Sequence, residues 1–149
     1  MYYCARPPLN RQNYGNSCWA AAIDSFSRAN SFIPTLRESD LAQRWGEPAI
    51  QYGLSFNALN GLMSSTLSPH GCQKVFKQIL LLPYDIEDKL RQSHVVLIWQ
   101  VTMSEWHAGL VYGIDNRTIS YMETRTGQLR VVAWNYFLNP TGYHMIWRP

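Results

Sequence analysis

Charged residues, paired cysteines and long apolar runs are all scarce in this sequence. Charged residues make up 15% of the chain, the net charge is +3, and Lys and Arg are scattered. Nucleic-acid-binding domains cluster their basic residues on one face, so we expect no nucleic-acid partner. No window approaches the ~20 apolar residues of a membrane span, and the first residues lack the pattern of a signal peptide. We therefore expect a soluble chain without a membrane partner.

Three cysteines are present, Cys4, Cys18 and Cys72, and no two of them form a Cys-x-x-Cys pair. An odd set without such a pair predicts neither a disulfide framework nor a zinc knuckle. We expect no metal and no cofactor. The 149 residues are 46% hydrophobic with six Trp and nine Tyr, the composition of a compact domain. A chain of this length buries roughly 70% of its unfolded surface, so residues 1–149 are predicted to form one domain.

The first half of the chain is predicted to be helical. The run CWAAAIDSFSRA places apolar residues at helical spacing and is rich in alanine, so a helix should begin at Cys18. Thr35 and Glu38 have the spacing of a capping box, which predicts a second helix that ends near Gly46 and Pro48. Two further helices are predicted, over Ser55–Ser65 and from Pro83 through YDIEDKLRQ.

The second half carries short β-branched and aromatic stretches that are typical of strands. They are Val95–Val101, His107–Ile114, Thr118–Met122, Leu129–Trp134 and Tyr143–Trp147. Turn residues separate the later stretches at Asp115-Asn116, Thr126-Gly127 and Asn139-Pro140. Short turns predict that consecutive strands are antiparallel neighbours. Helices followed by such a meander indicate the α+β class, with the helical half packed on a C-terminal antiparallel sheet.

Cys18 stands where a polar loop becomes a helix. A thiolate is stabilised there by unpaired backbone N–H groups and by the positive end of the helix dipole. This position favours a nucleophile. The alternative is a small apolar residue that simply begins a buried helix.

Gln12 lies six residues before Cys18, and the sequence Ser17-Cys18-Trp19-Ala20 follows it. This segment resembles the active-site segment of the papain-like cysteine proteases, in particular the short bacterial branch that includes bacteriocin-leader-processing peptidases and delivered effector proteases. The resemblance implies that Gln12 and the backbone N–H of Cys18 form an oxyanion hole. Read without its neighbours, Gln12 would be an exposed loop residue.

The resemblance also implies a histidine base on a later strand. His107 begins WHAGLVYGID, which is similar to the histidine strand of the short bacterial families, a histidine followed by an apolar run and Gly-x-Asp. His107 is therefore the predicted base. The other histidines, at positions 70, 94 and 144, are more simply explained as surface or half-buried residues.

A third residue should orient the imidazole, and Glu123 ends the stretch TISYME, directly after the predicted strand Thr118–Met122. The families that the chain resembles carry Asp or Asn there, so glutamate is a departure. Asp115 and Asn116 in the intervening turn compete for the role. Glu123 could alternatively be an exposed carboxylate paired with Arg125.

The resemblance implies a cysteine endopeptidase acting on a protein substrate without a cofactor. It further suggests an effector or toxin, secreted or delivered into the cytoplasm of a target cell, with a cognate immunity or inhibitor protein. A transglutaminase or glutamine deamidase would use the same Cys, His and acid. A papain-like binding module with a vestigial site is the remaining alternative.

Overall fold

The computed structural model describes residues 1–78, 81–102, 105–137 and 142–149, and within 47–52 it describes the backbone alone. Helices occupy the first half of these ranges and an antiparallel sheet the second, so the predicted α+β class is confirmed. None of the helices in these ranges has the length and apolar character needed to cross a bilayer. The helices are α1 (Cys18–Ala29), α2 (Glu38–Tyr52), α3 (Phe56–Leu62) and α4 (Pro83–Leu90).

All the strand pairings among the described residues are antiparallel and belong to one sheet. Its order is β2-β7-β3-β4-β5-β6, with β1 beside the far end of β4. The strands are β1 (Tyr2–Tyr3), β2 (Gln73–Lys77), β3 (Val95–Gln100), β4 (Trp106–Ile114), β5 (Thr118–Glu123), β6 (Gln128–Ala133) and β7 (Tyr143–Trp147).

The sheet is buried on both faces. Alternate residues of β3 enter two different cores, with Val96 and Ile98 on one side and Leu97 and Trp99 on the other. The first core is completed by apolar residues of α1, α2 and α3, and the second by α4 and a 3₁₀ turn over Trp134–Phe137. Burial on both faces explains why β3 is a continuous apolar run.

The predicted order of strands is wrong at β7. This strand pairs with β3 and β2, whereas consecutive-neighbour pairing would have placed it beside β6. All five residues of Tyr143–Trp147 are buried, and a strand of that kind needs a partner on each side. The preceding turn at Asn139-Pro140 lies outside the described residues. Strands β1 and β2 were not predicted because β1 is two residues long and β2 has only two apolar residues, Val75 and Phe76, which are adjacent and flanked by lysines.

The predicted capping box of the second helix is also wrong. Arg37 is the N-cap and makes no side-chain capping bond, and Glu38 is the first helical residue. The Glu38 carboxylate instead accepts hydrogen bonds from Asn13 and Ser17. Gly46 interrupts the helix with φ of 74°, and helical backbone resumes and continues to Tyr52, beyond the predicted end. The Glu38 side chain therefore ties α2 to the loop that precedes α1.

Leu110 tests the layer between α1 and the sheet, because it is fully buried in the first core. We expect Leu110→Ala to lower the free energy of unfolding by about 2–5 kcal/mol, through lost burial and an unfilled cavity. Leu9 is 58% exposed, and Leu9→Ala should stay within about 0.5 kcal/mol of wild type. Urea unfolding followed by tryptophan fluorescence measures both. Equal losses would contradict this layer assignment.

Candidate active site

Cys18 is the first residue of α1 and is half-buried at one wall of a cleft. The apolar face of α1 packs on β3 and β4, which fixes the helix against the sheet. Trp19, the next residue, is buried in that core. The thiol of Cys18 lies within hydrogen-bond reach of the His107 ring.

His107 is the second residue of β4 and is 3% exposed. The edge-on ring of Trp99, its cross-strand partner, packs against the imidazole with ring centroids 5.0 Å apart. The Nε2 atom of His107 forms a hydrogen bond with Oε1 of Glu123. Because this bond uses Nε2, Nδ1 is the ring nitrogen that can interact with the Cys18 thiol. The imidazole of His107 therefore lies between the thiol and the carboxylate.

Glu123 ends β5 directly opposite Gly109, and the alternation of side chains puts it on the same sheet face as His107. It is 4% exposed. The Tyr121 hydroxyl donates to its Oε2 at 3.0 Å, and the backbone N–H of Arg125 donates to its Oε1 at 3.1 Å. The carboxylate is therefore held on both oxygens.

Gly109 makes room for this arrangement. A Cβ atom at that position would lie 2.7 Å from the ring of Tyr121 and 3.1 Å from the carbonyl oxygen of Met122. Both distances are shorter than a normal contact. The absence of a side chain at 109 thus lets Tyr121 reach Glu123.

Burial alone would lower the pKa of His107, but its hydrogen bonds and charge interactions with Cys18 and Glu123 outweigh that effect and raise the pKa to about 9. Burial would likewise raise the pKa of Glu123, and the hydrogen bond and positive charge of His107 lower it to about 2. At neutral pH the pair is therefore an imidazolium and a carboxylate.

Asp115, the acid that competes with Glu123 for the third role, lies elsewhere. Asp115 accepts hydrogen bonds from Thr118 and from the backbone of Arg117 in the β4–β5 turn. That turn follows the far end of β4, more than about 20 Å along the strand from His107. The guanidinium of Arg125 pairs with Glu105, so the alternative of an exposed Glu123–Arg125 ion pair does not describe the structure.

Gln12 lies in the loop before α1, but its side chain is engaged within that loop. The amide nitrogen donates to the carbonyl oxygens of Tyr14 at 2.8 Å and Gly15 at 2.9 Å. Its Oε1 accepts from Thr124, the residue after Glu123, at 3.3 Å. Gln12 is thus anchored beside the end of β5 that carries Glu123, and its part in an oxyanion hole stays a prediction.

The cleft that exposes Cys18 and His107 has a volume of about 430 Å³. Its walls are mainly aromatic and aliphatic. The lining includes polar and aromatic residues that the sequence analysis did not assign to the site, among them Asn16, Trp45, Phe56, Trp106 and His144. Among the described residues, no group of three or more His, Cys, Asp and Glu side chains is arranged to hold a metal ion.

His144 corrects one expectation. It is 3% exposed and packs between Phe56 and Phe76, where burial and the nearby Lys74 charge lower its pKa to about 4. His94 is also buried, at 7% exposed, with Nε2 2.6 Å from the carbonyl oxygen of Ala5. Neither is the surface or half-buried residue that its sequence context suggested. His144 lies in β7 between β2 and β3, and His94 directly precedes β3 and reaches back to Ala5.

Comparison with solved structures relates this geometry to a known fold. The chain is similar to the peptidase domain of Streptococcus ComA, a bi-functional ABC transporter involved in a quorum sensing pathway, with a TM-score of 0.67 and 10% sequence identity over 100% of both chains. No protein-family model matches the sequence, and neither does any curated protein. The likeness shows that the chain shares the fold of that peptidase domain.

The buried ion pair predicts a pH dependence of stability. Because the pKa of His107 is raised from 6.5 to about 9, its stabilisation is complete below pH 6.5 and is lost as pH rises through about 9. Because the pKa of Glu123 is lowered from 4.5 to about 2, its stabilisation is complete above pH 4.5 and is lost as pH falls through about 2.

Both contributions are complete between pH 4.5 and pH 6.5. In that range we expect Glu123→Gln to lower the free energy of unfolding by about 3 kcal/mol, and above about pH 9 we expect a smaller loss. Urea unfolding at a series of pH values measures the difference from wild type. Glu87→Gln removes one carboxylate from a more exposed pair with Arg91 and serves as control. A difference for Glu123→Gln that does not change with pH would refute the assignment.

Thiol labelling tests the position of Cys18. Burial raises the pKa of Cys4 and, against the opposing charge of Arg148, raises that of Cys72 to about 11. At about pH 6, iodoacetamide should label Cys18 before the other two, and His107→Ala should slow this labelling at least about tenfold. Peptide mapping by mass spectrometry gives the three rates. Similar rates would show that Cys18 is not activated.

Proposed function

We propose that this chain is a cysteine peptidase that cleaves peptide bonds by acyl transfer through Cys18, His107 and Glu123. The observation that carries the proposal is the continuous connection from the Cys18 thiol through the His107 ring to the buried Glu123 carboxylate, at the wall of an open cleft. A nucleophile, a base and a residue that orients the base are the parts that this chemistry needs. The fold, that of a peptidase domain, supports the proposal.

In the first half of the reaction, the Cys18 thiolate attacks the carbonyl carbon of the scissile bond. The π electrons of the carbonyl move to oxygen, and the backbone N–H of Cys18 donates to that oxyanion, with Gln12 as the predicted second donor. His107 then gives the proton from Nδ1 to the leaving nitrogen as the C–N bond breaks. The product is a thioester on Cys18 and a free amine.

In the second half, the now neutral His107 accepts a proton from water as the water oxygen attacks the thioester. The C–S bond breaks, the carboxylic acid leaves, and the Cys18–His107 pair is restored. Glu123 keeps its hydrogen bond to Nε2 throughout, which directs Nδ1 toward the sulfur. Its negative charge stabilises the imidazolium of the resting state.

The finer parts of the proposal come from the sequence resemblance. We propose a protein substrate in a target cell, reached by secretion or delivery, and an immunity or inhibitor protein in the producing cell. The resemblance to delivered effector proteases supports these points.

The proposal is tested by incubating the purified chain with a bacterial lysate and identifying new peptide termini by mass spectrometry. We expect new termini with wild type, at least about a thousandfold fewer with Cys18→Ala, and undiminished cleavage with Cys4→Ala as the matched thiol control. Conversion of glutamine to glutamate without chain cleavage would replace the peptidase with a deamidase. The absence of any covalent change would favour a binding module.

A further inference from the structure

The Glu123 side chain needs support on both of its oxygens, because the last torsion of a glutamate side chain has no sharp preference. One oxygen, Oε1, forms the hydrogen bond with Nε2 of His107 and also accepts from the backbone N–H of Arg125 at 3.1 Å. The plane of the carboxylate is then set by whatever holds the other oxygen, Oε2.

Two side chains reach Oε2 of Glu123, and they differ in strength. The Tyr121 hydroxyl donates to it at 3.0 Å, and Tyr121 is fully buried. The guanidinium of Arg130 lies 3.8 Å away, beyond hydrogen-bond distance, on a side chain that is 46% exposed and stands over the ring of Tyr136. Because water screens the charge of such an exposed side chain, the Tyr121 hydroxyl is the stronger of the two contacts.

The ring of Tyr121 is itself fixed by aromatic neighbours. The rings of Trp99 and Phe137 make edge contacts with it, with centroids 5.8 Å and 6.0 Å away. The same Trp99 ring packs on His107 at 5.0 Å. One indole therefore holds both the phenol and the imidazole, and the Glu123 carboxylate is hydrogen-bonded to each of them through a different oxygen.

The Tyr121 hydroxyl is a dependable donor. Burial and the negative charge of Glu123 raise the pKa of Tyr121 above its ordinary value of 10. The hydroxyl therefore keeps its proton wherever the carboxylate is ionised. Since an ionised carboxylate can only accept hydrogen bonds, the direction of the bond between them is fixed.

We propose that Tyr121 is a positioning residue for the candidate site, which holds Oε2 of Glu123 so that Oε1 stays on Nε2 of His107. The inference rests on the proposed role of Glu123 in orienting the imidazole. Without the hydroxyl, Oε2 is a buried oxygen with only the guanidinium of Arg130 nearby. A turn of the carboxylate toward that guanidinium weakens the bond to Nε2, and the imidazolium loses part of its stabilisation.

The test is the pKa of His107, which is about 9 in the wild-type chain. We expect Tyr121→Phe, which keeps the ring and its packing, to lower this pKa by about 0.5–1, the effect of one hydrogen bond. NMR of the histidine rings over a pH series measures it, with the His107 signals assigned by their loss in His107→Ala. Tyr143→Phe is the matched control, because it removes another buried hydroxyl that donates to a carboxylate, that of Asp85 at 3.3 Å. It should leave the pKa of His107 at the wild-type value.

A double variant shows whether Tyr121 acts through the carboxylate. Glu123→Gln alone should lower the pKa of His107 further than Tyr121→Phe does, because the negative charge is lost. Adding Tyr121→Phe to Glu123→Gln should then lower it no more, since residues that act through one another are not additive. A merely structural role of the tyrosine predicts the same decrease in both backgrounds. Arg130→Gln should change the pKa less than Tyr121→Phe does.

Four results would overturn the proposal. They are an unchanged pKa of His107 in Tyr121→Phe, a raised pKa, an equal decrease with and without the Glu123 carboxylate, and a larger change for Arg130→Gln. A raised pKa would show that the hydroxyl chiefly draws charge from the carboxylate. None of these measurements needs a substrate, whereas failure of the peptidase proposal appears as unchanged peptide termini with the wild-type chain.

Discussion

The rest of the site depends on the buried ion pair between His107 and Glu123. Removing two charged groups from water costs several kcal/mol each, and a buried pair compensates for this cost when its geometry is good and its remaining atoms are hydrogen-bonded. Both conditions are met, because the Tyr121 hydroxyl and the backbone N–H of Arg125 each donate a hydrogen bond to the Glu123 carboxylate. The ion pair also depends on the register between β4 and β5, in which Gly109 lies directly opposite Glu123.

Two kinds of contact hold the candidate site together. The central strands of the sheet lie between two apolar cores, and α1 packs on them through the first of these cores. The loop before Cys18 is held by hydrogen bonds instead, one of them from Ser17 to Glu38 and another, at 3.3 Å, from Thr124 to Gln12. Thr124 also donates to the carbonyl oxygen of Ala108 at 2.9 Å. These bonds connect the loop to the apolar framework of the sheet.

Local sequence signals account for what could be predicted. The start of α1 at Cys18 was predicted from an alanine-rich run with apolar residues at helical spacing. The strand at His107 was predicted from a run of β-branched and aromatic residues. Glu123 was predicted from the family resemblance, which implies an orienting residue on the strand after the histidine. The place of β7 and the burial of His144 were missed, because they depend on pairing with β3, about 45 residues earlier in the chain. Glu38 was assigned to a local cap, and the partners that it binds lie more than twenty residues away.

The position of β7 links reactivity to biosynthesis. Domains generally fold as units during translation, and long-range strand pairing is the slow part of that process. Strand β3, which supports His107 through Trp99, has β4 on one side and acquires its other partner when Tyr143–Trp147 is made. A nascent chain in which α1 has already formed therefore lacks one neighbour of the strand behind His107 until residues 143–147 are translated. The sheet behind the candidate site is completed by β7, the last of these strands to be made.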